Sequence, residues 1–311
     1  MKIITRAEFG QAINWRYFVD ALDQGHALAK AEVEDVFLGP KGRTLLSRAA
    51  RIEGIGFGVK SVTIMSENAV KGLPSVQGVM LVFDEATGSP NALIDNALIT
   101  DIKTAADSAL AARYLARADS RTMLVLGAGS VARNVIAAYR EIFPGLEDFS
   151  IWNRTAEKAE SLAAELREQG VDATATQDLK TAVITADILS SATMAIDPIL
   201  KGEWLRPGIH VDLIGAFRAD MREADDAVLT RGQIYVDSRD TTLAHIGELK
   251  IPLASGTITE AEILADLYQL KQAGPIDRPP NAITVFKNGG GAHLDLMIAN
   301  AILQMRRTND D

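Results

Sequence analysis

The sequence predicts an α/β protein in which a doubly wound parallel sheet is inserted into a smaller mixed domain. Three observations carry this. From Arg121 onward, short apolar runs alternate with helical stretches, as in consecutive βαβ units. Before Arg121 the strand-like segments follow one another directly. After Ile283–Phe286 the alternation stops, and Asn288-Gly289-Gly290-Gly291 leads into a last apolar helix that returns the chain to the first domain. A length of 311 residues suits two domains at roughly 150 residues each.

Taken in order, an amphipathic helical pattern covers Ala7–Asp23, and a second short helical piece lies near Ala29–Phe37. Strand patterns follow at Thr44–Ile52, Ile55–Met65 and Val76–Asp84, punctuated by Gly72-Leu73-Pro74 and Thr87-Gly88. An Ala-rich helix spans Asp101–Ala118. Thr122–Leu126 is the continuous apolar run of a buried parallel strand. The alternation continues through Ser130–Ile142, Phe149–Trp152, Ala156–Gln169, Asp187–Ser191, His210–Leu213 and Ile234–Val236, and the last helix covers Ala292–Met305. No segment repeats along the chain.

Composition narrows the function. With 32 Lys and Arg against 41 Asp and Glu, the net charge of −9 leaves no basic excess for nucleic acid or an anionic membrane. The absence of cysteine removes disulfides, thiolate nucleophiles, iron–sulfur clusters and Cys-ligated zinc. The four histidines form no H-x-x-x-H pair, so no metal site is expected, and His245 with Glu248 reads as a structural pair. There is no G-x-S-x-G elbow and no phosphate loop ending in Gly-Lys-Ser/Thr. Met1–Arg6 lacks an apolar leader, and no run approaches the roughly 18 apolar residues of a membrane span, so a soluble, cytoplasmic protein is expected.

The sharpest motif is Gly127-Ala128-Gly129-Ser130-Val131-Ala132, which follows the Thr122–Leu126 strand and opens a helix. It fits G-x-G-x-x-G/A: a tight turn, then close backbone approach to a pyrophosphate, then a small residue for helix–strand packing. The helix N-terminus offers unpaired N–H groups to the anion. A Rossmann dinucleotide site follows from strand, loop, helix and next strand falling in order. At the end of the second strand stands Asn153-Arg154-Thr155, where an NAD site usually has Asp or Glu. No carboxylate there repels a 2′-phosphate and Arg154 can pair with one, so NADP(H) is favoured, with NAD(H) as the alternative.

Three basic residues of the first domain stand out. Lys60 shares a strand face with Gly58, Val62 and Ile64, either snorkelling at an edge or placed inward for chemistry. Lys103 falls in the first turn of the helix after Ile99-Thr100-Asp101, where the macrodipole disfavours a cation. Either an anion binds beside it or Asp101 and Asp107 pair with it. Arg48 lies on a strand otherwise poor in charge.

These pieces in this order resemble the ornithine cyclodeaminase/μ-crystallin family. The resemblance runs through Gly58–Val62, Asn68–Pro74, Val82–Gly88, Ile99–Ala106, Leu126–Ala132, Ile214-Gly215-Ala216 with Arg222-Glu223, Val236–Ser238, Gly247-Glu248, and Gly291-Ala292 with Asp295. It implies an α/β substrate-binding and dimerisation domain, 1–118 plus 287–311, and a Rossmann domain, 119–286, inserted within it. It implies a homodimer acting on a small α-imino or α-amino acid with a nicotinamide cofactor. Lys60 matches the family's catalytic lysine, and Arg48 its carboxylate-binding arginine. Two departures stand out. Lys103-Thr104-Ala105-Ala106 replaces the usual Arg-Thr-Ala-Ala, losing a bidentate fork. Phe217 stands where cyclodeaminases carry an Asp, and cannot accept a proton.

The expectation is therefore NAD(P)H-dependent reduction of a cyclic or acyclic α-imino acid, such as Δ1-pyrroline-2-carboxylate, to the L-amino acid, or the reverse. The alternatives are ornithine cyclodeaminase, alanine dehydrogenase, and a non-catalytic NADPH-binding protein of the crystallin type. Lys60 delivers the proton, Arg48 and Lys103 clamp the carboxylate, and Phe217 forms an apolar wall against water. Gly215 and Asp295 stand on the nicotinamide side. The cofactor-binding set is Thr104, Gly127, Ala128, Gly129, Ser130, Val131, Asn153, Arg154, Thr155 and Thr193.

Overall fold

A computed structural model describes residues 1–9 and 12–310. Its contacts divide the chain into two units, Met1–Lys103 with Gly291–Asp311, and Thr104–Gly290.

The first unit is built on a six-stranded sheet of order β1-β6-β5-β4-β3-β2. Its strands are β1 (Lys2–Ile4), β2 (Glu32–Leu38), β3 (Arg43–Ile52), β4 (Gly56–Met65), β5 (Val76–Phe83) and β6 (Pro90–Asp95). β1 runs parallel to β6, and the other neighbours are antiparallel. Alternation along β4 buries Gly56, Gly58, Lys60 and Val62 and exposes Phe57 and Thr63, so Lys60 faces inward. Helices α1 (Arg6–Phe9) and α2 (Trp15–Gly25) take the place of the single helix expected over Ala7–Asp23, whose residues 10 and 11 lie outside the described residues. Asn14 ends the interruption by capping α2, its side chain accepting from the Tyr17 N–H.

Two expectations are corrected in this unit. Residues 29–37 are not helical: Glu32–Leu38 is β2, paired antiparallel with β3 along its whole length. Its Val33, Val36 and Phe37 favour a pleated surface, and strand pairing overrides the weak helical spacing. Helix α3 (Asn96–Leu115) starts before Asp101, with Asp95 accepting from the Ala97 N–H. Lys103 is therefore about two turns inside the helix, where the macrodipole argument has no force because that field fades within the first turn. β1 and β6 are short and were not legible as separate strands.

The division between the units falls within α3. The second unit holds an eight-stranded, all-parallel sheet. In chain order its strands are β7 (Thr122–Leu126), β8 (Asp148–Trp152), β9 (Ala173–Thr176), β10 (Ile188–Ser191), β11 (His210–Leu213), β12 (Gln233–Val236), β13 (Ile263–Asp266) and β14 (Thr284–Lys287). Their spatial order is β13-β12-β14-β11-β10-β7-β8-β9. The connecting helices are α4 (Ser130–Ile142), α5 (Ala156–Glu168), α6 (Leu179–Thr185), α7 (Asp226–Arg231), α8 (Arg239–Thr242), α9 (Gly247–Ser255) and α10 (Leu267–Ala273). Met123–Leu126, Ile188–Ser191 and His210–Leu213 are wholly buried, as parallel strands covered on both faces must be. β9 and β13 escape a reading by hydrophobicity because Ala173-Thr174-Ala175-Thr176 and Ile263-Leu264-Ala265-Asp266 are short edge strands.

Strand order reverses between β7 and β10. Pairing aligns Leu126 with Ser191, Ser191 with Leu213 and Leu213 with Lys287, so the carboxyl ends of β7, β10, β11 and β14 are level. The loops beyond them form the switch-point crevice where open α/β sheets bind ligands. The last helix, α11 (Ala292–Asp310), belongs to the first unit and packs on β2–β5 and α2. No helix among the described residues is long and apolar enough to cross a membrane.

Candidate functional site

In the second unit the glycine loop has distinct demands at each position. Gly127 has φ +110°, and a Cβ there would meet the Ala192 carbonyl oxygen at 2.6 Å. Its N–H donates to the Trp152 carbonyl at 2.8 Å, which tightens the turn. Gly129 is different: it caps α4 with φ −92° and no side-chain hydrogen bond, and a Cβ there would meet nothing within 4 Å. The fold itself does not require glycine at 129, and the backbone there is open on its outer side. Ser130 and Val131 continue from it as the first turn of α4, and Ala132 is buried against the sheet. The observed loop therefore fits the pyrophosphate of a dinucleotide.

At the end of β8, the Asn153 side chain donates to the Thr155 carbonyl at 2.9 Å, and Thr155 begins α5 without a side-chain cap. Arg154 is exposed and has no ion-pair partner among the described residues. Thr193, after β10, and Gly215, after β11, meet at one carboxylate, Glu223, to which sequence reasoning gave no role. Thr104 is buried in α3, and its carbonyl accepts from the Asn288 side chain at 3.0 Å. Phe217 is 50% exposed, with the Arg218 guanidinium 5.5 Å from its ring centre.

The expected His245–Glu248 pair is not formed. His245 is exposed, whereas Glu248 is buried and accepts from the backbone N–H groups of Glu223 at 2.7 Å and Ala224 at 3.1 Å. Burial, with Glu223 nearby, pushes the Glu248 carboxyl up to about 7. Among the described residues no group of three or more His, Cys, Asp or Glu could hold a metal ion.

The first unit gathers charge from distant parts of the chain. Lys60 Nζ lies 2.7 Å from the Asp295 carboxylate, with Lys60 6% and Asp295 0% exposed. Asp295, from the first turn of α11, is thus an ion-pair partner of Lys60. Burial, opposed by Asp295 and reinforced by the nearby cations Lys103 and Arg48, lowers the Lys60 ammonium to about 8. Burial alone would raise the Asp295 carboxyl, but Lys60, Lys103 and Arg48 hold it below the usual range. Arg48 stands opposite Lys60 in the β3–β4 register and grips Asp35 of β2 through Nε and Nη2, the latter at 2.7 Å. Asp35 was missed because its segment was read as a helix. Lys103, 8% exposed, makes no hydrogen bond or ion pair among the described residues, not even with Asp101 or Asp107. Arg48, Lys60 and Lys103 are thus gathered close enough to act electrostatically on one another and on Asp295.

A doubly wound parallel sheet with a glycine loop opening a helix, together with a buried lysine–carboxylate pair, is the equipment of a nicotinamide-dependent oxidoreductase. The model of the ornithine cyclodeaminase/mu-crystallin family matches residues 33–309, and the chain belongs to that family. It is 54% identical to the Δ1-pyrroline-2-carboxylate reductase of Paracoccus denitrificans over 294 residues, 94% of this chain and 93% of that protein. The solved structure of Thermococcus litoralis Δ1-pyrroline-2-carboxylate reductase, in complex with NADH and L-proline, superposes with a TM-score of 0.92 at 29% identity, covering 99% of this chain and 98% of that one. An archaeal alanine dehydrogenase dimer with bound NAD gives the same TM-score at 25% identity, over 100% of this chain and 97% of that one.

Proposed function

We propose that this protein is an NAD(P)H-dependent reductase of α-imino acids, converting a cyclic ketimine such as Δ1-pyrroline-2-carboxylate to the L-amino acid, and catalysing the reverse oxidation. The observation that carries this reading is the buried Lys60–Asp295 pair in a unit that also holds Lys103 without an anionic partner among the described residues. Reduction of C=N needs a clamped carboxylate, two electrons and a proton at nitrogen. A bound nicotinamide supplies the electrons.

The chain's own side chains supply the rest. Lys103 and Arg48 hold the substrate carboxylate. Lys60, with its ammonium near 8, gives its proton to the nitrogen at neutral pH and takes one in reverse. Asp295 fixes the ammonium in place and stabilises its charge. Phe217 adds an apolar surface that shields the imine from hydrolysis. Phe217 has no proton-accepting atom, so ring-closing deamination of ornithine is the weaker reading.

NADP(H) is the preferred cofactor, supported by the exposed Arg154 and by Asn153 and Thr155 in place of a carboxylate. Thr104, Gly127, Ala128, Gly129, Ser130, Val131 and Thr193 complete the cofactor set, with Gly215 on the nicotinamide side. Residues 119–286 act as the dinucleotide-binding domain, and 1–118 with 287–311 as the substrate-binding and dimerisation domain. The face of the sheet opposite Lys60 leaves Val36, Leu38, Leu45, Phe57 and Val79 exposed, an apolar surface suited to a second copy of the chain.

Initial rates with NADPH and NADH against pyrroline-2-carboxylate, piperideine-2-carboxylate, and pyruvate with ammonia test the reading, alongside ornithine with NAD+. Fast NADPH oxidation with a cyclic imino acid is expected. Proline and ammonia from ornithine without net cofactor use would make it a cyclodeaminase. Tight NADPH binding with no turnover on any substrate would make it a binding protein.

A further inference from the structure

Glu223 is buried with none of its surface exposed, yet it belongs to no element of the sheet. One carboxylate oxygen accepts from Ser191 Oγ at 2.6 Å, the Thr193 N–H at 2.7 Å and Thr193 Oγ at 2.8 Å. The other accepts from the Gly215 N–H at 2.5 Å and the Ala216 N–H at 3.3 Å. Every partner is a donor, and they come from the last residue of β10 and from the two segments that leave β10 and β11. A Cβ at Gly215 would collide with the Thr193 carbonyl oxygen and stand 2.6 Å from Glu223, so glycine is what lets the two segments close on the carboxylate. The carboxylate's own backbone is fixed in turn, because Glu248 accepts from the N–H groups of Glu223 and Ala224.

These segments lie on one side of the switch point. β7, β8 and β9 form one mononucleotide half, with the glycine loop and Asn153–Thr155 at its carboxyl ends; β10 and β11 begin the other half. We propose that Glu223 is the positioning residue for the nicotinamide half of the cofactor. As an acceptor-only group it locks the β10 and β11 segments in one arrangement, with Thr193 and Gly215 placed for the ring, and it does not touch the adenosine half. This rests on the reductase reading above and adds a division of labour within it.

The chemistry explains why a carboxylate is needed. Glutamine in the same place would turn an N–H₂ group toward backbone N–H donors on one side or the other, leaving buried donors without acceptors. The test is calorimetric titration of the full chain, wild type and Glu223→Gln, with each reduced dinucleotide and with its fragment lacking nicotinamide, ADP-ribose or the 2′-phosphate of ADP-ribose. The expected result is dinucleotide affinity weakened about tenfold or more, with fragment affinity held within about twofold. Equal weakening of dinucleotide and fragment would assign Glu223 a general structural role, and unchanged affinity for both would assign it none; either overturns the proposal. If Glu223→Gln does not fold, Ser191→Ala removes one of the five bonds from a residue outside the cofactor set, and the same split, at about threefold, is required. A wild-type protein that binds neither dinucleotide fails the reductase reading, whereas one that binds both but shows no split fails only the role of Glu223.

Discussion

The two units concentrate positive potential by different physics. The second uses backbone: a glycine loop and the uncapped N-terminus of α4, where N–H groups face outward and no side-chain charge is needed. The first uses side chains: Arg48, Lys60 and Lys103, drawn from β3, β4 and α3, with Asp295 brought from the far end of the chain. A backbone device is contiguous and cheap to maintain, because it desolvates no charge. A side-chain cluster must bring charges out of water and offset that cost by pairing. In return it obtains what a backbone device cannot supply, a proton carrier tuned by its neighbours.

The sharpest way to break this comparison is at Lys60. Lys60→Met should lower turnover by about 10²–10⁴-fold while leaving dinucleotide affinity unchanged, measured by steady-state rates and titration. A loss below about tenfold, roughly 1.4 kcal/mol, would remove Lys60 from the chemistry.

The glycine pair separates fold from binding within the second unit. Gly127→Ala forces a side chain into a left-handed backbone and against a carbonyl, and should destabilise the protein by about 1–3 kcal/mol in thermal or denaturant unfolding. Gly129→Ala meets no protein atom, so its melting temperature should stay at the wild-type value while dinucleotide affinity falls. Parallel losses of stability in the two variants would show that the loop's geometry is purely structural.

The pH profile probes the first unit alone. Lys60 must be protonated to reduce and neutral to oxidise. The reduction rate should therefore be flat below about 8 and fall above it, and the reverse rate should rise to a plateau above the same point. Asp295→Asn removes the group that favours the ammonium, so both breaks should move to lower pH. A break that stays in place would assign it to another group.

Disrupting the open sheet face should change assembly before chemistry. Leu45→Lys should convert a dimer to monomers in sedimentation, and a monomeric wild type would dispose of the dimer outright. The smallest effect is expected at the exposed Arg154. Arg154→Ala should weaken NADPH by about three- to tenfold and leave NADH unaltered, since a solvated charge pair is worth about 1 kcal/mol.

What was legible divides along the same line as the physics. Gly127–Ala132, the strand before it and the helix after it are adjacent in sequence, so their spacing alone announced them. Inward placement of Lys60 followed from the two-residue period of β4. The partner of Lys60 did not, because Asp295 is 235 residues away and only the packing of α11 on the sheet brings it near. Asp35 was hidden by a helix-like spacing that pairing with β3 overrode. Lys103 stood out in the sequence for a wrong reason: its oddity comes from burial without a partner among the described residues, and its place in α3 is far from the first turn.

By itself, then, the sequence determined the doubly wound sheet and the glycine loop after β7, since local period and spacing encode both, and its composition holds no thiol. Only the tertiary structure decided which carboxylate pairs with Lys60, which cation is left without a partner among the described residues and that Glu223 joins the carboxyl end of β10 to the segments that follow β10 and β11. Those are outcomes of burial and of contacts between residues far apart in the chain, and no local pattern in a single sequence specifies them.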